Sequence, residues 1–490
     1  MKNISKPLIL IALLSGFLNS CSKMEELQDD PNRTTDATPE LILTQLEIQA
    51  FNNIGTSAAL ASRHLVNTDG VNSNQYYNWQ RSDFGNYDLL KQVRQMVLEA
   101  EEDELSVYTP LARFFNSFFI VGLTQTFGDV PYSEAIRAAE ENFTPVYDRQ
   151  EDIYLIVLDD LKTASDELAK NDETILGDVI YNGDHLKWRK LINSFYLRVL
   201  LSLSAKTGNP GLDIAGRFRE IADAPSAYPL LASNEDNGAL PFHDIEGNRY
   251  PLFQNNGLQT AFYMEKTFVD KLKALQDPRL FSFAEITPAA ADQGLTANDF
   301  EAYNGLKGSV PLDENVQIAV NGNASRINKR YYDQAGNEPS LLMSYSELQF
   351  ILAEAASRGW IDGDADAYYR EGIRASMEFY NIAESAINTY LENPGTQPDP
   401  GNEIASILTQ KHIAMFMNTG WQIFYEQRRT GYPEFDVSGG GVLNNGKIPK
   451  RWMYPSKEET QNGKNLEAAI TRQYPEGDNI NAEMWLLKEE

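Results

Sequence analysis

Long amphipathic stretches alternate along this chain with polar, glycine-rich ones, and the amphipathic stretches keep helical spacing. Helical signal begins at Thr38-Pro39-Glu40, a cap-like start with proline at the first helical position, and Leu41, Thr44, Ile48 and Phe51 follow on one predicted face. Leu89, Val93, Met96 and Ala100 predict a second helix, and Leu111, Phe114, Phe118 and Val121 a third. Ile153 to Leu168 and Trp188 to Val199 carry the same period. The cleanest stripe is Leu341, Tyr345, Leu348, Leu352 and Ala355, where Ala353 and Ala356 permit close packing. Ala367 to Tyr380 and Glu403 to Met417 continue the series. No comparable run alternates with period two, so the fold class is mostly α.

Two blocks break the pattern. Residues from about 208 to 340 are rich in Gly, Pro, Asn and Asp, with one clear helix near Thr260 to Gln276; Val71 to Tyr87 has the same character. A loop-rich block of that length, threaded with aromatics, points to an ordered and functional insertion. Paired helices around it suggest a repeat array, and Ser346 to Ala375 has the texture of a tetratricopeptide hairpin, although no clean 34-residue period emerges.

The first residues read differently again. Lys2 and Lys6 precede the apolar run Leu8 to Leu14, too short to span a bilayer, and Leu18-Asn19-Ser20-Cys21 follows as a lipobox-like end. Residues 1–20 are therefore expected to be a signal peptide, with Cys21 the lipidated first residue of the mature chain. Residues 21–36 are a polar tether of at most about 50 Å, and 37–490 form one folded unit. Ser22 to Glu26 resembles an acidic signal for the outer surface in Bacteroidetes-type lipoproteins.

Composition narrows the function. A formal charge of −28 over 490 residues excludes a nucleic-acid role, which demands a basic face. With Cys21 the single cysteine, neither an intrachain disulfide nor a cysteine-based zinc site is possible. The four histidines (His64, His185, His243, His412) have no ligand spacing, and no nucleophile elbow exists. Gly441 to Lys447 fits the first seven places of a phosphate loop, but Ile448 replaces the hydroxyl and Pro449 forbids the helix. Asp362, Asp364 and Asp366 imitate a calcium loop without its glycine or its final glutamate, and a helix N-terminus accounts for them better. No metal, cofactor or catalytic residue is assigned. Most tryptophans lie in apolar motifs and read as core; Trp79 stands in an Asn/Gln/Ser-rich stretch beside Tyr76, Tyr77 and Asn78, with Arg81 two residues on. A flat ring beside amide and guanidinium donors suits a sugar, whose C–H face covers the ring while its hydroxyls are bonded.

Several long segments carry a resemblance. Gln125 to Ala135 reads QTFGDVPYSEA, Met343 to Ala355 forms the helix before an Arg358-Gly359-Trp360 turn, and Gln410 to Pro433 closes with RRTGYP. Ile448 to Pro455 reads IPKRWMYP. With the lipobox and Asp30-Pro31-Asn32, these resemble the SusD/RagB family of SusD-like nutrient-binding outer-membrane lipoproteins, from Cys21 to about Asn462. The resemblance implies a tetratricopeptide-like scaffold with an irregular subdomain, no enzymatic activity, and a SusC-like TonB-dependent transporter as partner. It implies a glycan ligand or, in some members, a peptide. The signature motifs do not mark the ligand site. Site expectations therefore rest on loop context: Trp79, Tyr76, Tyr77, Asn78 and Arg81, with Tyr303, Arg326 and Tyr331 as further partners. The Arg428-Arg429 pair is expected to be scaffold at a helix end. The competing readings are a protein-interaction scaffold of tetratricopeptide type and a glycan-cleaving lipoprotein.

Overall fold

A computed structural model describes residues 37–137 and 141–489. Its longer helices are α1 (Pro39–Phe51), α2 (Asn86–Glu102), α3 (Tyr108–Phe127), α4 (Gln150–Leu168), α5 (His185–Ser202), α6 (Ile214–Ala222) and α7 (Lys266–Leu275). They continue with α8 (Leu312–Val320), α9 (Tyr345–Ser357), α10 (Ala365–Phe379), α11 (Glu384–Glu392), α12 (Glu403–Ala414), α13 (Gln422–Thr430) and α14 (Gly463–Gln473). The fold is mostly α, as the periodicity predicts. Helices α2 with α3, α4 with α5 and α9 with α10 pack as neighbouring pairs, the tetratricopeptide-like arrangement, and α5 against α9 joins the first half of the scaffold to the second.

Local chemistry sets the helix starts. The Asp184 carboxylate accepts from the Lys187 amide at 3.0 Å, and Asp364 caps α10 by accepting from the Asp366 and Ala367 amides. Ser344 accepts from the Glu347 amide at 3.1 Å, the first half of a capping box. Glu347 does not complete it, because its carboxylate is held by Arg198 at 2.9 and 2.5 Å.

On α1 the buried face differs from the predicted stripe. Ile42, Leu43, Leu46, Ala50 and Phe51 are buried, whereas Leu41 and Ile48 are exposed. The buried Glu47 hides this face from a hydrophobicity reading. Trp188 anchors the first half of the core, edge-on to Phe51, Phe114, Phe115 and Tyr181 at 5.4–6.2 Å, with its N–H donated to Asp178 at 2.9 Å.

The block from about 208 to 340 is more regular than its composition suggests. Besides α6, α7 and α8 it holds short helices at Asn256–Thr260, Arg279–Phe283, Pro288–Asp292 and Arg330–Asp333. The single helix expected near Thr260 to Gln276 is instead a strand followed by α7. Strand β1 (Leu65–Asn67) pairs antiparallel with β3 (Phe262–Met264), and β2 (Gly238–Leu240) with β4 (Ser340–Met343). Strands of three or four residues are too short to show alternation in the sequence. The β1–β3 ribbon fastens the block to the chain just before the first polar loop, and β4 feeds directly into α9.

Candidate ligand-binding site

The signature segments meet one another, and they do so in the scaffold. Arg428 donates through Nη1 to the Gln125 carbonyl at 2.7 Å and the Lys450 carbonyl at 2.9 Å, tying the end of α13 to two other signatures. The Trp452 amide donates to the Thr126 carbonyl, the Tyr454 hydroxyl to the Asp129 carbonyl at 2.6 Å, and the Tyr474 hydroxyl to the Phe127 carbonyl at 2.6 Å. The Arg429 side chain is 4% exposed and grips Glu354 bidentately at 2.6 and 2.7 Å and Glu426 at 3.0 and 2.5 Å, while Lys411 holds the other oxygen of Glu426 at 2.5 Å. Burial alone would raise the pKa values of Glu426 and Glu354, but the Arg429 charge beside both, with Lys411 at Glu426, holds them low. The paired arginines are structural, as their position at a helix end predicts.

The polar loop before α2 also faces inward. Trp79 is 5% exposed, stacked on Trp452 at 4.8 Å and edge-on to Trp421, Phe424 and Tyr77. Its N–H goes to the Arg451 carbonyl at 3.1 Å. Tyr77 is fully buried beneath the Arg63 guanidinium and donates to the Ala61 carbonyl. Tyr76 is 2% exposed, and its carbonyl accepts from Leu443. These three rings have no open face for a ligand, because residues 441–443 and 451–453 wrap the loop. Asn78 is half-buried. Arg81 reaches the surface, but its guanidinium is spent on the Tyr454 carbonyl at 2.6 Å and on Glu459 at 2.8 Å.

The expected partners divide similarly. Tyr303 and Tyr331 are buried, Tyr303 donating to the Ala297 carbonyl and Tyr331 lying under the Arg330 guanidinium. Arg326 is half-buried at the surface. It bridges to Tyr263 of β3, lies over that ring at 4.6 Å and donates to the Gln259 carbonyl at 3.0 Å. Burial first, and then the Asp333 and Glu285 charges, push the pKa of half-buried Tyr332 up, with the Arg326 charge pulling the other way. Beneath the ribbon, Val66, Tyr263, Leu306 and Ala324 form a small core of their own. Register places Asn67 opposite Phe262, and Thr68 donates to the Ala261 carbonyl, so the start of the first polar loop adjoins this surface. Sequence reasoning missed Phe262 and Tyr332; Phe262 lies on a three-residue strand and Tyr332 on the four-residue helix Arg330–Asp333, both too short to see in the sequence.

A separate cleft of about 860 Å³ lies between α7, α12 and the turn after α13, lined by Tyr432, Phe435, Tyr369, Lys271, Asn402 and Gln427 among others. The RRTGYP segment thus ends at a cleft although its arginines are buried. At its inner wall His412 stacks on His64 at 4.4 Å, and burial pushes the His412 pKa down to about 4. Among the described residues, no group of three or more His, Cys, Asp or Glu could hold a metal ion, and no helix is long and apolar enough to cross a membrane.

Residues 31–455 match the family model described as SusD-like, starch-binding, associating with the outer membrane. The chain belongs to the SusD-like family. A SusD homologue from Bacteroides fragilis is 40% identical over 93% of this chain and 100% of its own, with a TM-score of 0.85. Another from the same species is 32% identical over 92% and 100%, with a TM-score of 0.87. A chitin-binding protein is 26% identical over 91% and 99%, with a TM-score of 0.71. No curated protein matches the chain. SusD-like proteins are outer-membrane-associated, nutrient-binding proteins, and this chain shares their helical, tetratricopeptide-like fold.

Proposed function

We propose that this SusD-like protein captures a glycan at the cell surface and passes it to a TonB-dependent transporter of the SusC type. The observation that carries the reading is the β1–β3 surface: half-buried Arg326 is fixed between the buried Tyr263 ring and the Gln259 carbonyl, and Phe262 and Tyr332 are half-buried rather than closed in the core. Aromatic rings beside a fixed guanidinium and backbone carbonyls are the groups that cover sugar C–H faces and bond hydroxyls. The family's starch-binding description and the chitin-binding relative support a carbohydrate over a peptide. Cys21 lies outside the described residues; its lipidation, which would hold the protein at the outer membrane facing outward, belongs to the same proposal. Native gel electrophoresis through neutral polysaccharides tests it: Arg326→Ala should abolish retardation, and retention by peptides alone would refute the glycan reading. Cys21→Ser protein should leave the membrane fraction; persistence there would sink the anchor.

A further inference from the structure

Away from the β1–β3 surface, helices α1, α2, α3, α5 and α13 enclose a cavity of about 320 Å³ on the scaffold. That volume lies at the lower end of the range for small-molecule sites, and suits a mono- or disaccharide better than a polymer. Its lining has an unusual hydrogen-bond balance. The Asn53 amide donates to the Ala50 and Leu341 carbonyls, the Asn86 amide to the Phe119 carbonyl at 3.2 Å, and the Gln422 amide to Glu426 at 3.1 Å. Each N–H₂ is thereby tied down, which fixes the orientation of its carboxamide. The carbonyl oxygens of the same three groups accept nothing from the described residues. Gln125, 4% exposed, also lines the cavity, but its Oε1 has almost no accessible surface, so the acceptors open to a ligand are those of Asn53, Asn86 and Gln422.

The remaining chemistry excludes most ligand classes. Arg198 is the cation in the wall, and Glu347 and the Leu342 carbonyl take its donors at 2.5–2.9 Å, so no free positive charge awaits an anion. Phe118, Trp421 and Tyr425 supply rings. Trp421 is held edge-on to Trp452 at 4.8 Å and to Phe424 at 5.7 Å, and Phe118 packs on Phe114 and Phe195, so the rings are set before any ligand arrives. Fixed rings with several spare acceptors suit an uncharged, donor-rich molecule with apolar C–H faces. We infer that this cavity is a second binding site, taking a neutral mono- or disaccharide through its hydroxyl groups. The site is separate from the β1–β3 surface and lies on the helical scaffold.

Gly122 offers a clean way to close it. It lines the cavity on α3, and a Cβ there would meet only the Asn86 side-chain amide, at 3.1 Å. Gly122→Leu therefore projects a side chain into the space without removing a ring, the Asn86 carboxamide shifting by a few tenths of an ångström to admit it, and leucine favours the helix. The test is saturation-transfer NMR and calorimetry with glucose, galactose, mannose, maltose, cellobiose and diacetylchitobiose. Glucuronate and glucosamine serve as charged comparators. At least one neutral sugar should bind, with tenfold or greater loss in Gly122→Leu and a smaller loss in Gln422→Leu, while thermal melts of both variants stay near that of the parent. Silence of every neutral sugar, unchanged affinity in Gly122→Leu, or preference for glucuronate would overturn the inference. Polysaccharide retardation in gels reads the β1–β3 surface independently, so either site can fail alone.

Discussion

Replacing Glu47 by glutamine should stabilise this protein, an unusual outcome for a buried, hydrogen-bonded residue. Glu47 lies on α1, is fully buried, and accepts the Val179 amide through Oε2 at 2.7 Å; no donor reaches its Oε1. Next to it stands the Asp178 carboxylate, which already accepts four hydrogen bonds, from the amides of Ile180, Tyr181 and Gly183 and from the Trp188 ring. Burial first, and then the Asp178 charge, push the Glu47 pKa from 4.5 up to about 10. In the folded protein at pH 7 Glu47 therefore keeps its proton, while in the unfolded chain it loses it. Holding that proton costs about 3 kcal/mol at pH 7, at 1.36 kcal/mol per pH unit above the unfolded value. The cost grows as pH rises from 4.5 towards 10 and vanishes below 4.5. Glutamine has the same shape, accepts the Val179 amide equally well, and carries no such cost. Urea unfolding at pH 8 and pH 4.5 should show Glu47→Gln more stable by about 1–3 kcal/mol at the higher pH and near parity at the lower. A variant destabilised equally at both values would refute the protonated-carboxyl reasoning.

Other consequences follow from the same contacts. Gly128, in the FGDVPY segment, has φ +90°, and a Cβ there would lie 2.3 Å from both Gln473 Oε1 and the Tyr474 hydroxyl; Gly128→Ala should lower stability by about 2 kcal/mol or more in urea unfolding. Trp79→Ala should cost about 3–5 kcal/mol, because the ring is core, while Trp79→Phe should leave any glycan affinity unchanged in calorimetry. His64 and His412 are both buried with pKa values pushed below 6.5, His412 to about 4. Unfolded histidine takes up a proton near 6.5, so stability should fall as pH drops from 6.5 towards 4, by about 3 kcal/mol for His412 alone; melts at pH 7 and 4.5 check the sign, which is opposite to that of Glu47.

How far the chain was legible depended on what each segment packs against. Helices such as α9 announce themselves because burial on nearly every side leaves a dense apolar run. On α1 the buried Glu47 and the exposed Leu41 and Ile48 rotate the apparent face away from the real one. Val71 to Tyr87 looked like a solvent-facing aromatic loop because its neighbours in sequence are Asn, Gln and Ser. Its neighbours in space are Trp452, Phe424 and residues 441–443, which arrive from hundreds of positions away and close over Trp79. Polarity along a loop reports on its exposed backbone, and says little about where its large rings go. Arg326 lies half-buried at the surface, whereas Tyr303 and Tyr331 are buried. The ribbon to which Arg326 bridges depends on a long-range pairing of two three-residue strands, which no local pattern encodes.

The most direct test of the nutrient-binding reading is calorimetry of the mature protein against soluble neutral polysaccharides, repeated with Arg326→Ala/Tyr332→Ala. Binding by the parent to at least one polysaccharide, lost in the double variant while its melting temperature is kept, is the predicted result. Undiminished affinity in the double variant, or no binding to any polysaccharide, would contradict it.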